Sequence, residues 1–336
     1  MGFDPLLFLA AFGGGAFGAA IGGQTAFIFT GIAYFVGLGA YIGGFNAAPF
    51  MDNVVFGPVF GPHIAFAGAV TAAAYAAKRG VMANGANGRD IVTPLAGLGR
   101  SDVLVVGGVT GMIGYVLNLA LAYIFPALTV NDPALHYNGD IIGHTDTVAL
   151  TIIILAIATR YIFGSTGLFG KKYGLLGVGE GKHWVDFQEG WGFTALVGLA
   201  TGILSGFASL VLLRNFFESG ILAHAALIGW AIGAVSLTFL SLGLKTPVTH
   251  HMTIIASIAA IKFAPVVTGT SDVTAWTSGA LAIVVLIAGL FGLISGLLCE
   301  ALARATNAEG DTHIDPPAFA IFILTTVIFV ILAILI

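Results

Sequence analysis

The chain has 336 residues, of which 58% are hydrophobic and only 8% are charged. A soluble domain carries about 25% charged residues, so a mean hydropathy of +1.01 excludes a water-covered surface and indicates an integral membrane protein. The net charge of −4 excludes nucleic acid as a main partner, and the single cysteine, Cys299, excludes a disulfide framework and a cysteine zinc site.

Long runs that are apolar on every side predict an all-α fold, because helices of about 20 residues satisfy their own backbone in lipid. In chain order, the predicted membrane-spanning helices are 5–21, 25–44, 62–78, 102–125, 147–163, 193–213, 220–243, 248–264, 273–299 and 317–336.

The third and eighth of these ten predicted helices are short and follow Pro and Gly. An alternative interpretation is that both are re-entrant half-helices, which enter the membrane without crossing it. Each half of the chain would then cross the membrane four times. Lys245 stands in the short loop before the eighth helix, and a re-entrant descent would pull this cation into lipid at about 3 kcal/mol or more. We therefore favour ten crossings.

The basic residues orient the predicted bundle. With ten crossings, ten of the twelve Lys and Arg residues fall on one side, and only Arg214 and Lys262 fall on the other. The positive-inside tendency then places the side with ten basic residues in the cytoplasm and both termini on the outer side of the cell (inner) membrane. The loops 45–61 and 126–146, which contain no Lys or Arg, are expected outside as well.

The sequence also contains an internal repeat. The stretch GRSDV at 99–103 recurs as GTSDV at 269–273, and HTD at 144–146 recurs as HID at 313–315. A Pro followed by His also opens both short spans. We therefore predict a first five-helix repeat at 1–163, a cytoplasmic linker at 164–189 and a second five-helix repeat at 190–336.

An odd number of crossings in each repeat makes the second repeat enter the membrane from the opposite side. This 5+5 inverted-topology arrangement is typical of transport proteins, in which the substrate path lies between the repeats.

Polar residues near the starts of helices are the candidate substrate ligands. His63 precedes the third predicted helix, and Thr249, His250 and His251 lie at the start of the eighth. Helix N-termini favour anions and polar oxygens, and imidazole can bind such groups or relay a proton. Gln24 is a further candidate. The alternative is that the histidines only complete the helix starts, and that Gln24 sits in a tight turn.

The two His-x-Asp motifs are candidates for gating or proton relay. The motifs are His144 with Asp146 and His313 with Asp315; an imidazole and a carboxylate at this spacing can share a proton or bind a metal. Both aspartates also precede apolar runs, so helix capping explains them without explaining the histidines. In an inverted repeat we expect the two motifs on opposite faces, as paired gates.

Three further features have structural interpretations. The two Ser-Asp pairs, at 101–102 and 271–272, are expected to cap helices. Lys262 is expected to reach the membrane surface or to lend positive charge to an anion path. The 48 glycines predict close helix packing.

Together these features favour a permease or channel for a small anion or a small neutral molecule. The partners expected are this solute, the lipid bilayer and further copies of the chain in a homo-oligomer, with no cofactor. One alternative is a membrane-embedded metal-binding protein or enzyme that uses the His and Asp residues, although no familiar catalytic spacing is present. The other alternative is a structural subunit of a membrane complex.

Overall fold

The computed structural model describes residues 2–82, 86–125, 145–169, 185–219 and 221–335. Its longer helices are α1 (Pro5–Ile21), α2 (Gly23–Ile42), α3 (Ala65–Lys78), α4 (Ser101–Ile124), α5 (Thr147–Phe163), α6 (Trp191–Phe216), α7 (Ile228–Ser241), α8 (His250–Thr268), α9 (Ser278–Leu302) and α10 (Pro316–Leu335). Each overlaps one predicted apolar run. The all-helical prediction is confirmed for the described residues, which contain no strand.

Six of the described helices are long and apolar enough to cross a membrane: α2, α4, α6, α8, α9 and α10. The helices α1, α5 and α7 are also apolar but shorter, with 17, 17 and 14 residues. The length and composition of these helices indicate a membrane protein.

The first five helices and the last five make the same kinds of contact. In the first group, α1 packs against α3 and α4, α2 against α3, and α5 against α3 and α4. In the second group, α6 packs against α8 and α9, α7 against α8, and α10 against α8 and α9. Each helix therefore has a counterpart five helices later with equivalent neighbours.

The helices α2 and α7 join the two groups and run antiparallel. Gln24, at the start of α2, donates a hydrogen bond from Nε2 to Oγ of Ser241, at the end of α7, over 2.7 Å. Tyr34, further along α2, donates to the carbonyl of His224, which precedes α7, over 2.9 Å. The beginning of one helix thus lies beside the end of the other.

The helices α5 and α10 form a second antiparallel pair between the groups. Thr326, in the second half of α10, donates to Oγ1 of Thr145, which precedes α5, over 2.9 Å. Arg160, near the end of α5, donates from Nε to Oγ1 of Thr312, which precedes α10, over 2.6 Å. In both joining pairs, therefore, a helix meets its own counterpart in the opposite direction.

The helices α3 and α8 begin beside the middle of neighbouring helices. The helix α3 is short, with 14 residues, but the prediction of a short eighth helix is wrong, because α8 has 19 residues and is long enough to cross a membrane. Thr30 of α2 donates to the carbonyl of Phe60, in the non-helical segment before α3, over 2.7 Å. In the middle of α7, a Cβ built on Gly233 would lie only 2.8 Å from the His250 backbone at the start of α8. Both N-termini are therefore buried within protein, where membrane proteins tolerate an irregular backbone.

The predicted capping role of the two Ser-Asp pairs is wrong. Asp102 lies inside α4 and pairs with Arg100, with 2.9 Å between Oδ1 and Nε. Asp272 lies in the turn before α9, and Thr277 caps that helix. Sequence alone misplaced the start of α9, because the apolar run extends beyond the helix.

The prediction that Lys262 reaches the membrane surface is also wrong. The side chain is only 5% exposed, and its Nζ lies 5.5 Å from the ring centroid of Phe329 on α10. The helix α8 is buried along most of its length by α6, α7, α9 and α10, and Lys262 lies within this buried stretch.

Candidate functional site

A cavity of about 930 Å³ lies between the two groups of helices. From the first group it is lined by residues of α2, α3 and α5, including Gln24 and Phe66. From the second group it is lined by residues of α7, α8 and α10, including Trp230 and Thr325. The cavity therefore lies between both groups, on the elements that join them.

Aromatic rings form one wall of this cavity. The Phe27 ring on α2 lies 5.1 Å from Trp230 and 6.1 Å from Phe66, measured between centroids. Phe56 extends the wall, with its ring centroid 5.6 Å from that of Trp230. These separations and the edge-on or tilted ring planes are typical of favourable aromatic contacts.

His250 stands beside this aromatic wall at the start of α8. Its ring centroid lies 4.8 Å from that of Phe27, and the side chain lines the cavity. The residue is 6% exposed, and its Nδ1 has no hydrogen-bond partner among the described residues. Oγ1 of Thr325, on α10, is a second buried cavity-lining atom without a partner in the described part of the chain. A bound solute or water could satisfy either atom.

His313, Asp315 and Asn307 form a hydrogen-bonded group at the cavity. His313 Nε2 lies 3.1 Å from Oδ1 of Asp315, and its Nδ1 lies 3.5 Å from Nδ2 of Asn307. Because the Asn307 amide donates to Nδ1, the imidazole carries its proton on Nε2 and donates to the carboxylate. The other carboxylate oxygen of Asp315 accepts the backbone N–H of Ala318, which caps α10.

Asp146 occupies the corresponding position at the start of α5. Its Oδ1 accepts the backbone N–H of Ala149 over 2.8 Å, so this aspartate also caps a helix. Asp146 and Asp315 line the same cavity, and they stand at opposite ends of the antiparallel pair α5 and α10. The partner histidine of Asp146, His144, lies outside the described residues.

Gln24 lines the cavity while binding α7. Its Nε2 donates to Ser241 and to the carbonyl of Leu237, the latter over 3.3 Å. The side chain thus contributes to the cavity wall and to the contact between the two groups of helices. We call this contact, formed by α2 with α7 and by α5 with α10, the seam.

The structure does not bring His63, Thr249 and His251 to the cavity lining. His63 is 3% exposed, and Thr249 precedes α8 with its hydroxyl facing Gly233. His251 faces a pocket of about 10 Å³ beside Cys299, and neither of its ring nitrogens has a partner among the described residues. That volume is close to the smallest that holds a water molecule.

Arg160 and Arg89 connect the two groups of helices at one end of the seam. The sequence analysis did not predict a role for either residue. Arg160 is fully buried and donates to the carbonyls of Thr306 and Thr312. Arg89 donates to the carbonyls of Asn307 and Ala308, and burial lowers the pKa of its guanidinium. These four carbonyls lie more than 140 residues away in sequence, so no local pattern indicates the contacts.

Asp311 adds a charged partner to Arg160. Its Oδ1 lies 3.9 Å from Nε of Arg160, and it accepts hydrogen bonds from Thr166 and Ser165. Burial opposes the ionisation of Asp311, but these hydrogen bonds outweigh that effect and hold the pKa of the carboxyl below its usual 3.8. The segment before α10 is therefore tied to the end of α5 by several polar contacts.

The described residues do not contain a metal-binding cluster. Among the described residues, no three His, Cys, Asp or Glu side chains are grouped so that they could hold a metal ion.

A family of unknown function (DUF7973) matches the chain twice, over residues 2–180 and 179–336. The chain belongs to this family. Comparisons with curated proteins and with solved structures give no match.

Proposed function

We propose that the chain is a membrane permease or channel for a small solute. It consists of two five-helix repeats of inverted topology, 1–163 and 190–336, joined by a cytoplasmic linker at 164–189. The solute path runs through the cavity between them. Both termini outside the cell membrane, ten crossings and a homo-oligomer belong to the same proposal.

Three observations support the inverted repeat. The two groups of helices have equivalent packing neighbours. The counterparts α2 and α7 run antiparallel, as do α5 and α10. The same family matches each half of the chain. Counterpart helices that meet antiparallel are expected when one repeat is inserted upside down relative to the other, whereas repeats with the same orientation would keep them parallel.

The observation that carries the transport proposal is the cavity itself. Transporters with inverted repeats bind their substrates at the repeat interface, where discontinuous helices begin inside the membrane. Here the cavity lies between the two groups, and α3 and α8 begin beside the middle of their neighbours. Buried polar atoms of His250 and Thr325 have no partner among the described residues and line this space.

The candidate substrate ligands follow from the cavity lining. Gln24 and His250 from the predicted binding residues, and Asp146, His313 and Asp315 from the predicted relay, all line it. For His63, Thr249 and His251 we propose an indirect role, in holding the starts of α3 and α8 in place.

A cysteine placed in the cavity tests the path. Ile258 of α8 lines the cavity, whereas Ile255, one turn earlier, is fully buried and does not line it. Ile258→Cys should react with a small water-soluble thiol reagent, and the reaction should block solute flux into proteoliposomes. Ile255→Cys is the matched control and should not react, as the unsubstituted protein with its buried Cys299 should not.

The solutes for this assay are urea, formate and methylammonium, measured against protein-free liposomes. Unchanged flux after complete labelling of Ile258→Cys would contradict the proposed path. A failure of all three solutes to cross faster than in protein-free liposomes would contradict permeation of small solutes.

A further inference from the structure

The charges around the cavity are unbalanced. Five carboxylates and one guanidinium line it, and among the described residues no lysine does so. The charged lining residues are Asp52, Asp90, Asp146, Asp186, Asp315 and Arg89. Arg89 directs its Nη1 to the backbone carbonyls of Asn307 and Ala308 and so is already engaged. The charged side chains therefore give the cavity an excess of negative charge.

Helix N-termini do not reverse this balance. The N-terminus of a helix is equivalent to roughly +0.5 of an elementary charge, whereas an ionised carboxylate contributes a full negative charge. Asp146 and Asp315 each cap such an N-terminus at the cavity, so each helix start carries a carboxyl group whose charge, when ionised, exceeds the partial charge of the helix. The anion preference expected from helix starts and histidines alone is therefore outweighed by the aspartates that accompany them.

The uncharged part of the lining also favours a cation. Phe27, Phe56, Phe66 and Trp230 form a continuous aromatic wall, and the faces of such rings attract ammonium groups, especially when these are desolvated. The three phenylalanine rings of this wall offer no hydrogen bonds to an anion or to a neutral polar solute.

Three buried polar atoms without a partner among the described residues line the same cavity: Nδ1 of His224, Nδ1 of His250 and Oγ1 of Thr325. Nδ1 of His250 and Oγ1 of Thr325 belong to side chains that are 6% and 1% exposed, and neither has a partner among the described residues. A neutral imidazole with its proton on Nε2 accepts a hydrogen bond at Nδ1, and a hydroxyl oxygen also accepts. The N–H groups of an ammonium ion would supply the missing donors.

From these observations we infer that the cavity selects a compact organic ammonium ion. The inference rests on the proposed path and deepens it by naming the substrate class. In this arrangement the carboxylates of Asp146 and Asp315 attract the cation, the rings around Trp230 replace part of its hydration shell, and His250 and Thr325 accept its N–H groups. A metal cation fits less well, because no three-ligand group is present in the described residues.

The test measures uptake of radiolabelled methylammonium and tetramethylammonium into proteoliposomes of the full chain at pH 6. Tetramethylammonium carries a permanent charge and cannot cross lipid as a neutral amine. Formate and urea serve as the anionic and neutral comparisons. We expect methylammonium, whose N–H groups can meet the buried acceptors, to enter about tenfold faster than in protein-free liposomes. Tetramethylammonium, which has no N–H group, should enter more slowly than methylammonium, and formate should stay near the background.

Two substitutions connect the uptake to the cavity. Asp315→Asn retains an oxygen that can cap α10, so it removes charge with little cost to the helix. Trp230→Leu removes the ring, whereas Trp230→Phe keeps an aromatic face. We expect Asp315→Asn and Trp230→Leu each to lower ammonium uptake about tenfold and Trp230→Phe to retain most of it. Asp272→Asn and Trp191→Leu, at exposed positions outside the cavity, are the matched controls.

The outcomes separate this inference from the proposed function. Uptake of formate or urea without either ammonium probe would overturn the cation inference and leave the permease proposal standing. Ammonium uptake unaffected by both Asp315→Asn and Trp230→Leu would also overturn the inference. Uptake of none of the four probes by a monodisperse protein would overturn both.

Discussion

Replacing Arg160 with Lys should destabilise the seam between the two groups of helices. The guanidinium is fully buried and makes four well-formed hydrogen bonds, to Oγ1 and the carbonyl of Thr312, to the carbonyl of Thr306 and to that of Gly167, over 2.5–3.1 Å. Lysine keeps the positive charge but presents a single ammonium, which cannot reach acceptors on three segments of the chain at once.

The expected magnitude follows from the bonds that are lost. A hydrogen bond to a charged group contributes about 1.5–3 kcal/mol, and Arg160→Lys should lose about two of the four. The expected destabilisation is therefore about 3–6 kcal/mol. Since 1 kcal/mol shifts the Tm by about 2–4 °C in a domain of 150–250 residues, a decrease of at least about 6 °C is expected.

Thermal unfolding of the purified protein in detergent, followed by intrinsic fluorescence, measures this change. Arg79→Lys is the matched control, because Arg79 is exposed at the end of α3. A Tm for Arg160→Lys that matches the Tm of Arg79→Lys would refute the assigned role of the guanidinium.

Two further predictions concern pH and helix packing. Because the pKa of Asp311 is lowered in the folded protein, its stabilising effect should be complete above its ordinary value near 3.8 and disappear as pH falls through the lowered value. The Tm of the unsubstituted protein should therefore decrease more steeply below about pH 4 than that of Asp311→Asn, and equal slopes would contradict this. In α4, a Cβ on Gly111 would lie 2.4 Å from the Ala11 carbonyl oxygen, so Gly111→Ala should destabilise by about 1–3 kcal/mol. Gly13→Ala is the control, because nothing lies within 4 Å of that position; equal Tm values for the two variants would contradict the close packing of α1 and α4.

The positions of many helices follow from sequence because their apolar runs have clear ends. The predicted run 5–21 coincides with α1, between the capping Asp4 and Gly22, and 147–163 coincides with α5, between Asp146 and Gly164. The predicted run 220–243 is less accurate: α7 begins only at Ile228, after a separate short turn of helix. Hydropathy does not distinguish an apolar turn from an apolar helix.

The composition of the site is harder to predict than the helices. His250 and His251 are adjacent, and consecutive residues on a helix point about 100° apart, so only one of them faces the cavity. Which one does so depends on the packing of α8 against α6, α7 and α9, which the sequence of one segment does not specify. The same limit applies to Arg160, whose acceptors on Thr306 and Thr312 come from the other half of the chain.

The sidedness of the two loops that precede α3 and α8 distinguishes inverted from parallel repeats. Asn46, between α2 and α3, and Lys245, between α7 and α8, are both exposed and occupy counterpart loops. Single cysteines at these positions can be labelled in intact cells with a membrane-impermeant maleimide, against the unsubstituted protein with its buried Cys299. We predict that Asn46→Cys reacts in intact cells and that Lys245→Cys reacts only after permeabilisation. Reaction of both cysteines from the same side of the membrane would contradict the inverted repeat and the path between its halves.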